Sequence, residues 1–195
     1  MKCNEGAKME FLDIFKQIGM VKEGHFELTS GLHSGRYFEK FRLLEYPEVT
    51  ALICKEMADR VKDYEFSVVA GPTTGGIIIA YEVARLLKKR CIFAEKTTEG
   101  REFRRGFQIS EGEKILVVDD VFTTGGSVVK TIEAIKKKGG IVVGVGVIVD
   151  RSEHPIELGV PFFSVYKEQV KNWHPSECPL CKKGVELLKP GGAKA

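Results

Sequence analysis

Long apolar runs are missing from this sequence. No stretch approaches the roughly 20 apolar residues that span a bilayer, and residues 1–10 lack the apolar core of a signal peptide. Cysteine is also scarce, with five residues in 195. A disulfide framework is therefore not expected, and the cysteines are better explained as thiols or metal ligands. These absences predict a cytoplasmic protein that does not associate with a membrane.

An excess of charge of either sign is missing as well. Lysine and arginine number 30 against 27 aspartates and glutamates, a formal net charge of +3. This balance argues against a nucleic-acid-binding protein, although local basic clusters can still bind a phosphorylated small molecule. With 43% hydrophobic residues and no low-complexity linker, the chain is predicted to form a single domain over residues 1–195.

Short apolar runs alternate with helical segments after residue 65. Strands are predicted at 66–70, 91–96, 114–120, 141–150 and 160–166, and helices at 77–90 and 127–138. Two earlier helices are predicted, one at residues 10–20 and one that begins at Pro47. Buried strands separated by helices indicate an α/β fold whose parallel sheet is flanked by helices on both faces.

The two ends of the chain follow this pattern less closely. Two short β-like runs, 25–29 and 36–41, surround a turn-rich segment at 30–35. We expect residues 1–45 to form a small N-terminal hood over the carboxyl edge of the sheet. Residues 172–195 are expected to form a C-terminal tail.

One motif carries most of the chemistry. Residues 115–127 read ILVVDDVFTTGGS, so that a strand leads into a glycine-containing turn that opens a helix. Thr123 to Ser127 can aim backbone N–H groups and hydroxyls at one point, where the helix dipole favours an anion. Ligands of open α/β sheets bind beyond the carboxyl ends of the strands. The turn is therefore predicted to bind a phosphate.

Two carboxylates directly before a phosphate site need a partner other than the phosphate. Asp119 and Asp120 can accept hydrogen bonds from the two hydroxyls of a ribose, or bind a divalent cation. A ribose 5-phosphate satisfies both halves of the motif. The alternative is a strand-to-helix turn with no ligand. A Walker A loop is excluded, because the motif contains no Gly-Lys-Ser/Thr.

A second glycine loop, GPTTGG at residues 71–76, also lies between a predicted strand and a predicted helix. Taken alone it could be a tight turn that binds nothing. Together, two such loops on neighbouring strand ends could bind the 5′-phosphate and the pyrophosphate of one substrate.

The motif at 115–127 closely resembles the phosphoribosyl pyrophosphate motif of type I phosphoribosyltransferases. LTSGLHSGRYF at 28–38 and the pair Asp150-Arg151 resemble motifs of the orotate phosphoribosyltransferases in particular, and the resemblance covers residues 10–155 in consistent order. It implies the type I phosphoribosyltransferase fold, orotate and phosphoribosyl pyrophosphate as substrates, and a homodimer with shared active sites.

The resemblance also implies site residues. Catalytic roles are expected for Asp119, Asp120 and Lys96. The residues expected to bind phosphoribosyl pyrophosphate are Thr73, Thr74, Lys96, Arg104, Arg105, Asp119, Asp120, Val121, Phe122, Thr123, Thr124, Gly125, Gly126 and Ser127. The residues expected to contact orotate are Thr123, Arg151 and Phe38. Arg151 offers the planar fork that binds a carboxylate, but it could instead form a surface ion pair, and Phe38 could belong to the core.

Two positions depart from many orotate enzymes, which carry lysine where Thr29 and Gly75 stand. Lys40, Arg36 and His33 are candidates to replace those charges. A basic loop, KTTEGREFRRG at 96–106, is expected to be mobile without ligand, because so polar a stretch has little to bury. It would then close over pyrophosphate as a lid, whereas the alternative is a solvated surface hairpin. In the enzymes that it resembles, this loop reaches the neighbouring subunit's site.

Loss of pyrophosphate builds positive charge on the ribose and negative charge on the leaving group, so positioning and electrostatics are expected to dominate catalysis. The expected cofactor is Mg²⁺, bound mainly through the substrate. The phosphoribosyl motif alone leaves two alternatives open. One is a purine or uracil phosphoribosyltransferase, and the other is a regulatory protein that binds the same ligand.

The C-terminal tail contains one further pattern, in which His174, Cys178 and Cys181 are spaced as His-x3-Cys-x2-Cys. Three such residues could bind zinc. A lone Cys-x-x-Cys favours a reduced or structural pair of thiols over a zinc site, because no second pair completes a set of four ligands.

Overall fold

The structure, a computed structural model, describes residues 5–28, 30–152, 157–168 and 171–190. It consists of two compact units. The sheet unit is Leu44–Glu168, and the hairpin unit combines Met1–Leu43 with Gln169–Ala195. The C-terminal tail thus belongs to the same unit as the N-terminal region. The prediction of one domain with an N-terminal hood stays a prediction.

The helices are α1 (Glu5–Gln17), α2 (Phe41–Leu44), α3 (Pro47–Val61), α4 (Gly75–Leu87), α5 (Gly126–Lys137) and α6 (Pro179–Lys182). The strands are β1 (Val21–Glu27), β2 (His33–Phe38), β3 (Val68–Pro72), β4 (Arg90–Lys96), β5 (Arg101–Glu102), β6 (Lys114–Phe122), β7 (Ile141–Asp150), β8 (Phe162–Lys167) and β9 (Asn172–Trp173). A short 3-10 helix spans Pro175–Glu177.

A six-stranded sheet in the order β5-β4-β3-β6-β7-β8 forms the centre of the sheet unit. The neighbours from β4 to β8 pair parallel, and β5 pairs antiparallel with β4. Strands β3, β6 and β7 form where the sequence has continuous apolar runs, as is typical of strands covered on both faces. The predicted α/β fold with a parallel sheet is confirmed.

Helices cover both faces of this sheet. Val128, Ile132 and Ile135 of α5 share a core cluster with Val68 and Ala70 of β3. The side chain between those two, at position 69, points to the opposite face of the sheet. It is also fully buried, because α4 packs against β3 and α3 packs against α4. None of the helices that the structure describes is both long and apolar enough to cross a membrane.

Some predicted boundaries of helices and strands next to the two glycine loops were wrong. Helix α4 begins at Gly75 rather than at residue 77, and it ends at Leu87 rather than at residue 90. Lys88 leaves the helix with a φ of 54°, so the basic residues after it do not form a last helical turn. Strand β6 continues past its two aspartates to Phe122, because its pairing with β7 continues to Asp150.

The hairpin unit contains a second, antiparallel sheet in the order β1-β2-β9. The strands predicted at 25–29 and 36–41 are displaced, since β1 begins at Val21 and β2 at His33. Polar composition suggested a turn at 30–35, but His33 and Ser34 are buried strand residues, with 5% and 0% of their surfaces exposed. The tail also pairs with β1 in a parallel bridge between Phe26 and Leu188, where the Glu27 N–H donates to the Leu188 carbonyl at 2.9 Å.

Candidate active site

Two glycine loops lie at one edge of the sheet. The GPTTGG loop (71–76) follows β3 and opens α4, and the TTGGS loop (123–127) follows β6 and opens α5. Strands β3 and β6 are adjacent and parallel, so their carboxyl ends share an edge. Two helix amino termini therefore direct N–H groups and positive dipole ends towards this edge. Such an arrangement can bind an anion that carries separated phosphates.

The TTGGS loop is open on one side. Gly125 caps α5 in the left-handed conformation, with a φ of 74°, which glycine adopts without strain. Among the described residues, a methyl group at Gly126 would approach only Thr124 Oγ1, at 3.8 Å. A cavity of about 70 Å³ lies against this loop and Asp119. The protein leaves this space unfilled, as a phosphate site requires.

Asp119 and Asp120 lie near the end of β6, and both are buried, with 6% and 2% of their surfaces exposed. Asp119 Oδ1 accepts a hydrogen bond from the Asp120 N–H at 2.8 Å, and Asp120 Oδ1 accepts one from the Val121 N–H at 2.6 Å. These bonds to the backbone orient both carboxylates. Carboxylates held in this way can bind hydroxyls or a cation without first rearranging.

The GPTTGG loop is packed tightly, in contrast. A methyl group at Gly71 would lie 2.1 Å from the Gly76 carbonyl oxygen, and one at Gly76 would lie 2.6 Å from Pro72 Cδ. Within the same loop, the Thr73 N–H donates to the Ala94 carbonyl at 3.0 Å, and the peptide bond between Thr73 and Thr74 is cis. The close approach of the loop's own atoms therefore requires glycine at positions 71 and 76.

Gly75 explains one departure from the family pattern. A methyl group at this position would lie 1.8 Å from Asp120 Oδ2, far inside van der Waals contact. A lysine cannot occupy position 75 unless Asp120 moves. Glycine at 75 and the position of the Asp120 carboxylate therefore depend on each other, which no local sequence pattern reveals.

Arg101 joins the two loops, and the sequence analysis did not include it among the site residues. Its Nη1 donates to Thr73 Oγ1 at 3.1 Å and to the Ala94 carbonyl at 3.0 Å, while its Nη2 donates to Ser127 Oγ at 3.1 Å. Burial lowers the pKa of Arg101, and the carboxylate of Asp119 opposes that shift, so the guanidinium stays charged. Arg101 thereby places a positive charge between the two glycine loops.

A signal for Arg101 was present in the sequence. Arg101 and Phe103 are two residues apart, which places their side chains on the same side of an extended segment. Phe103 is only 5% exposed and belongs to the core cluster. The prediction that the basic loop has little to bury was therefore wrong at this position, and its mobility stays a prediction.

The other basic residues of this loop lie on the surface. Arg104 pairs with Glu102 at 3.0 Å and Arg105 with Glu95 at 2.7 Å, and the arginine side chains are 53% and 70% exposed. Lys96 is exposed at the end of β4. Exposed pairs of this kind contribute about 0–1 kcal/mol each, so these cations can exchange their partners for a more highly charged anion.

The residues predicted to contact orotate lie in both units. Thr123 is exposed in the TTGGS loop. Arg151 follows β7, and its N–H donates to the Phe122 carbonyl at 2.7 Å, which ties it to the end of β6. Phe38 ends β2 in the hairpin unit and is 6% exposed, as the alternative of core packing requires. Thr29 lies outside the described residues.

The candidate metal ligands of the tail are brought together only in part. Cys178 and Cys181 meet two histidines of the hairpin, His25 and His33. His174 does not belong to this cluster, and its exposed ring lies 3.3 Å from Ser176 Oγ, so the structure does not bring this predicted ligand to the two cysteines. His33, a candidate to replace a missing lysine, is buried in the cluster and does not serve that purpose.

Comparison with known proteins identifies the family. The model of the phosphoribosyl transferase domain matches residues 42–180. An orotate phosphoribosyltransferase from Caldanaerobacter subterraneus subsp. tengcongensis is 48% identical over 187 residues, which cover 96% of this chain and 98% of the relative.

Solved structures agree with this assignment. The crystal structure of orotate phosphoribosyltransferase from Aeropyrum pernix is 31% identical, with a TM-score of 0.67, and the match covers 80% of this chain and 92% of that one. The Mycobacterium tuberculosis orotate phosphoribosyltransferase in complex with 5-phospho-alpha-D-ribosyl 1-diphosphate is 26% identical, with a TM-score of 0.65 and coverage of 83% and 96%. By its fold, by its two glycine loops and by relatives that match nearly its whole length, this chain belongs to the orotate phosphoribosyltransferase family.

Proposed function

We propose that this chain transfers ribose 5-phosphate from phosphoribosyl pyrophosphate to orotate, which gives orotidine 5′-monophosphate and pyrophosphate in pyrimidine nucleotide synthesis. One observation carries the proposal: two helix amino termini and two buried aspartates meet at one edge of the sheet. The family supports the choice of base, because relatives that match nearly the whole chain are orotate phosphoribosyltransferases.

In this reaction the TTGGS loop binds the 5′-phosphate. The N–H groups at the start of α5 and the hydroxyls of Thr123, Thr124 and Ser127 donate to phosphate oxygens, and the helix dipole favours the negative charge. Arg101 donates to Ser127 Oγ at 3.1 Å, so it acts as a positioning residue for this loop.

Asp119 and Asp120 accept hydrogen bonds from the ribose hydroxyls. When the reacting nitrogen of orotate bonds to the anomeric carbon, the bond from that carbon to pyrophosphate breaks, and positive charge develops on the ring. The two carboxylates stabilise that charge from fixed positions. We assign them no general-base role, because the reacting nitrogen of orotate can arrive already ionised.

The leaving pyrophosphate is bound by the GPTTGG loop and by the basic loop. Thr73 and Thr74 lie at the amino terminus of α4, where an anion is favoured. Lys96, Arg104 and Arg105 approach from the basic loop as it closes, and exclusion of water then protects the activated sugar from hydrolysis.

The residues of this edge fit a magnesium ion. Buried carboxylates and threonine hydroxyls are hard oxygen donors, and Asp119 lines the cavity beside the TTGGS loop. When bound, Mg²⁺ neutralises charge on the leaving pyrophosphate. It would be held mainly by oxygens of the substrate, with Asp119 and Asp120 as the protein groups nearest to it.

Selection of orotate is assigned to Arg151 and Thr123. Orotate carries a carboxylate that adenine, hypoxanthine and uracil lack, and a guanidinium binds a carboxylate through two parallel bonds. Phe38 is proposed for the base site on the family resemblance alone. A cytoplasmic location is supported by the four described cysteines, Cys54, Cys91, Cys178 and Cys181, none of which forms a disulfide.

An ultraviolet assay tests the reaction directly. The protein is incubated with phosphoribosyl pyrophosphate, Mg²⁺ and one base in each reaction: orotate, uracil, adenine or hypoxanthine. We expect a spectral change and release of pyrophosphate with orotate. Turnover of another base instead would replace the substrate assignment, and binding of phosphoribosyl pyrophosphate with no turnover of any base would indicate a regulatory protein.

A second experiment tests the shared homodimer. Two inactive variants are mixed under conditions that exchange subunits, one Asp120→Asn and the other a triple alanine variant of Lys96, Arg104 and Arg105. If the basic loop acts on the neighbouring subunit, each mixed dimer has one intact site, and random association restores about a quarter of all sites. If it acts within its own subunit, verified exchange restores none.

A further inference from the structure

Four metal-ligating side chains from the two ends of the chain meet in the hairpin unit. His25 lies on β1 and His33 begins β2, while Cys178 precedes α6 and Cys181 lies within it. One ligand atom from each residue lies within 4.8 Å of all the others. This cluster takes no part in the transfer reaction proposed above, so a different role has to explain it.

The cluster is mostly enclosed by protein. His25, His33 and Cys178 are 1%, 5% and 0% exposed, and Cys181 is exposed on its rim. Burial of an imidazole is costly unless its ring nitrogens have partners. The partners of these rings therefore decide what the cluster is for.

Hydrogen bonds within the cluster cannot account for all of its short contacts at once. His25 Nδ1 lies 2.9 Å from the Val185 carbonyl, which only accepts, so Nδ1 carries the proton and Nε2 keeps a single lone pair. Three possible donors surround that lone pair, namely His33 Nδ1 at 3.0 Å, Cys178 Sγ at 3.4 Å and Cys181 Sγ at 3.7 Å. One lone pair accepts one good hydrogen bond, whereas a central cation would satisfy all four ligand atoms together.

The spacing matches a tetrahedral zinc ion. Bond lengths of about 2.3 Å to sulfur and about 2.0–2.1 Å to nitrogen place tetrahedral ligands roughly 3.3 Å apart for two nitrogens and roughly 3.6 Å apart for nitrogen and sulfur. The nitrogens of His25 and His33 are 3.0 Å apart, three of the four nitrogen–sulfur separations run from 3.2 to 3.7 Å, and every pair of ligand atoms lies within 4.8 Å. The distance between the two nitrogens is therefore a few tenths of an ångström shorter than in the ideal tetrahedral geometry.

We propose that His25 Nε2, His33 Nδ1, Cys178 Sγ and Cys181 Sγ bind one zinc ion as a closed structural site. Two thiolates balance the charge of Zn²⁺, so the buried centre is neutral, and four protein ligands leave no position for a substrate. The Val185 carbonyl orients the His25 ring, as outer partners of zinc-bound histidines commonly do.

The ion would fasten the tail onto the hairpin. Among the described residues, the other contacts between them are short: the pairing of β9 with β2 at His33 and Ser34, the bridge between Phe26 and Leu188, and surface contacts such as the ion pair between Lys189 and Glu27 at 2.7 Å. Residues 171–190 would then depend on zinc for their position, because so short a segment buries little apolar surface.

Metal analysis tests the proposal on untagged full-length protein. Mass spectrometry of the native chain should show about one zinc per chain, and His25→Ala and Cys178→Ser should each lose it. Two matched controls should keep it: His174→Ala, the histidine nearest the cysteines in sequence, and Cys91→Ser, a thiol outside the cluster. Stoichiometric iron, or zinc lost from His174→Ala but kept by His25→Ala, would overturn the assignment.

Thiol protection gives an answer even if the variants fail to fold. Wild-type protein is alkylated before and after removal of metal by a chelator, and the modified peptides are quantified. Cys178 and Cys181 should react at least tenfold faster after chelation, while Cys91 keeps its rate. If the metal-free protein, kept reduced and supplied with zinc, shows neither binding nor renewed protection of these two thiols, the site does not exist.

Discussion

The two glycine loops at the edge of the sheet contain the same kind of sequence but use glycine differently. In the GPTTGG loop, a methyl group at Gly71, Gly75 or Gly76 would overlap other protein atoms at 1.8–2.6 Å. In the TTGGS loop, a methyl group at Gly126 would make only an ordinary contact with a described atom, at 3.8 Å. The first loop is glycine-rich because other protein atoms fill the space. In the second loop, Gly125 adopts a left-handed conformation and Gly126 leaves open the space proposed for the phosphate.

Because of this difference, substitutions in the two loops should affect different properties, namely the stability of the fold in the first loop and the affinity for substrate in the second. A substitution in the GPTTGG loop should disturb the fold and, through Gly75, the carboxylate of Asp120. A substitution at Gly126 should leave the fold intact and obstruct only the phosphate. Variants ranked by the size of their expected effect can therefore test the comparison.

The largest effect is expected at Asp120, against which the GPTTGG loop packs. Asp120→Asn should lower kcat by about 10²–10³-fold with orotate, because a fixed charge beside the developing cation is lost. Circular dichroism and thermal melting should remain close to wild type. Glu133→Gln removes an exposed carboxylate from α5 and is the matched control. Wild-type turnover by Asp120→Asn would remove this residue from the mechanism.

The next effect is expected at Arg151, which belongs to neither loop. Arg151→Ala should raise the KM for orotate about ten- to a hundredfold, since loss of a charged hydrogen-bonding partner costs about 1.5–3 kcal/mol. The KM for phosphoribosyl pyrophosphate should change much less. Steady-state kinetics with each substrate varied in turn measure both values, and equal changes in the two would contradict a role in binding the base.

Gly75→Ala should lower the stability of the fold, by a free energy similar to the loss of binding expected for Arg151→Ala. Overpacking of this kind costs about 1–3 kcal/mol, and the methyl group should displace the Asp120 carboxylate, so kcat should fall as well. Urea unfolding and turnover are measured on the same preparation. In combination with Asp120→Asn, the loss of kcat should be far less than additive, because both changes affect one carboxylate. Additive losses would show that Gly75 acts independently of Asp120.

The smallest effect on the fold is expected from Gly126→Ala. Its stability should lie within about 0.5 kcal/mol of wild type, as for a site with no packing conflict. The KM for phosphoribosyl pyrophosphate should nevertheless rise about tenfold, because the methyl group intrudes on the phosphate site. If this variant unfolds in the same urea concentration as Gly75→Ala, the distinction between the loops fails.

Local sequence was sufficient wherever the chemistry is contained in a short segment. Residues 141–150 were predicted as a strand with the observed bounds of β7, because ten nearly continuous apolar residues can be buried only between two layers. The order strand, two aspartates, glycine turn and helix was also predictable, since the turn residues and the helix start are neighbours in the chain.

Pairings between distant residues were not predictable in this way. Arg101 meets Thr73 and Ser127 across separations of 28 and 26 residues, and the sequence shows only one arginine among several in a basic loop. His25 and Val185 are 160 residues apart. The spacing of Cys178 and Cys181 is visible in the sequence with His174 as a nearby candidate, but nothing in it indicates the two histidines at the other end of the chain that meet these cysteines.

The sequence by itself therefore determined the α/β fold, the two glycine loops and the residue types of the candidate site, because periodicity and short motifs act over a few residues. Only the tertiary structure decided that Gly75 leaves room for Asp120, that Arg101 joins the loops and that two histidines meet the cysteines of the tail. The physical reason is that packing and ligand geometry depend on distances in space, which strand order sets and sequence separation does not.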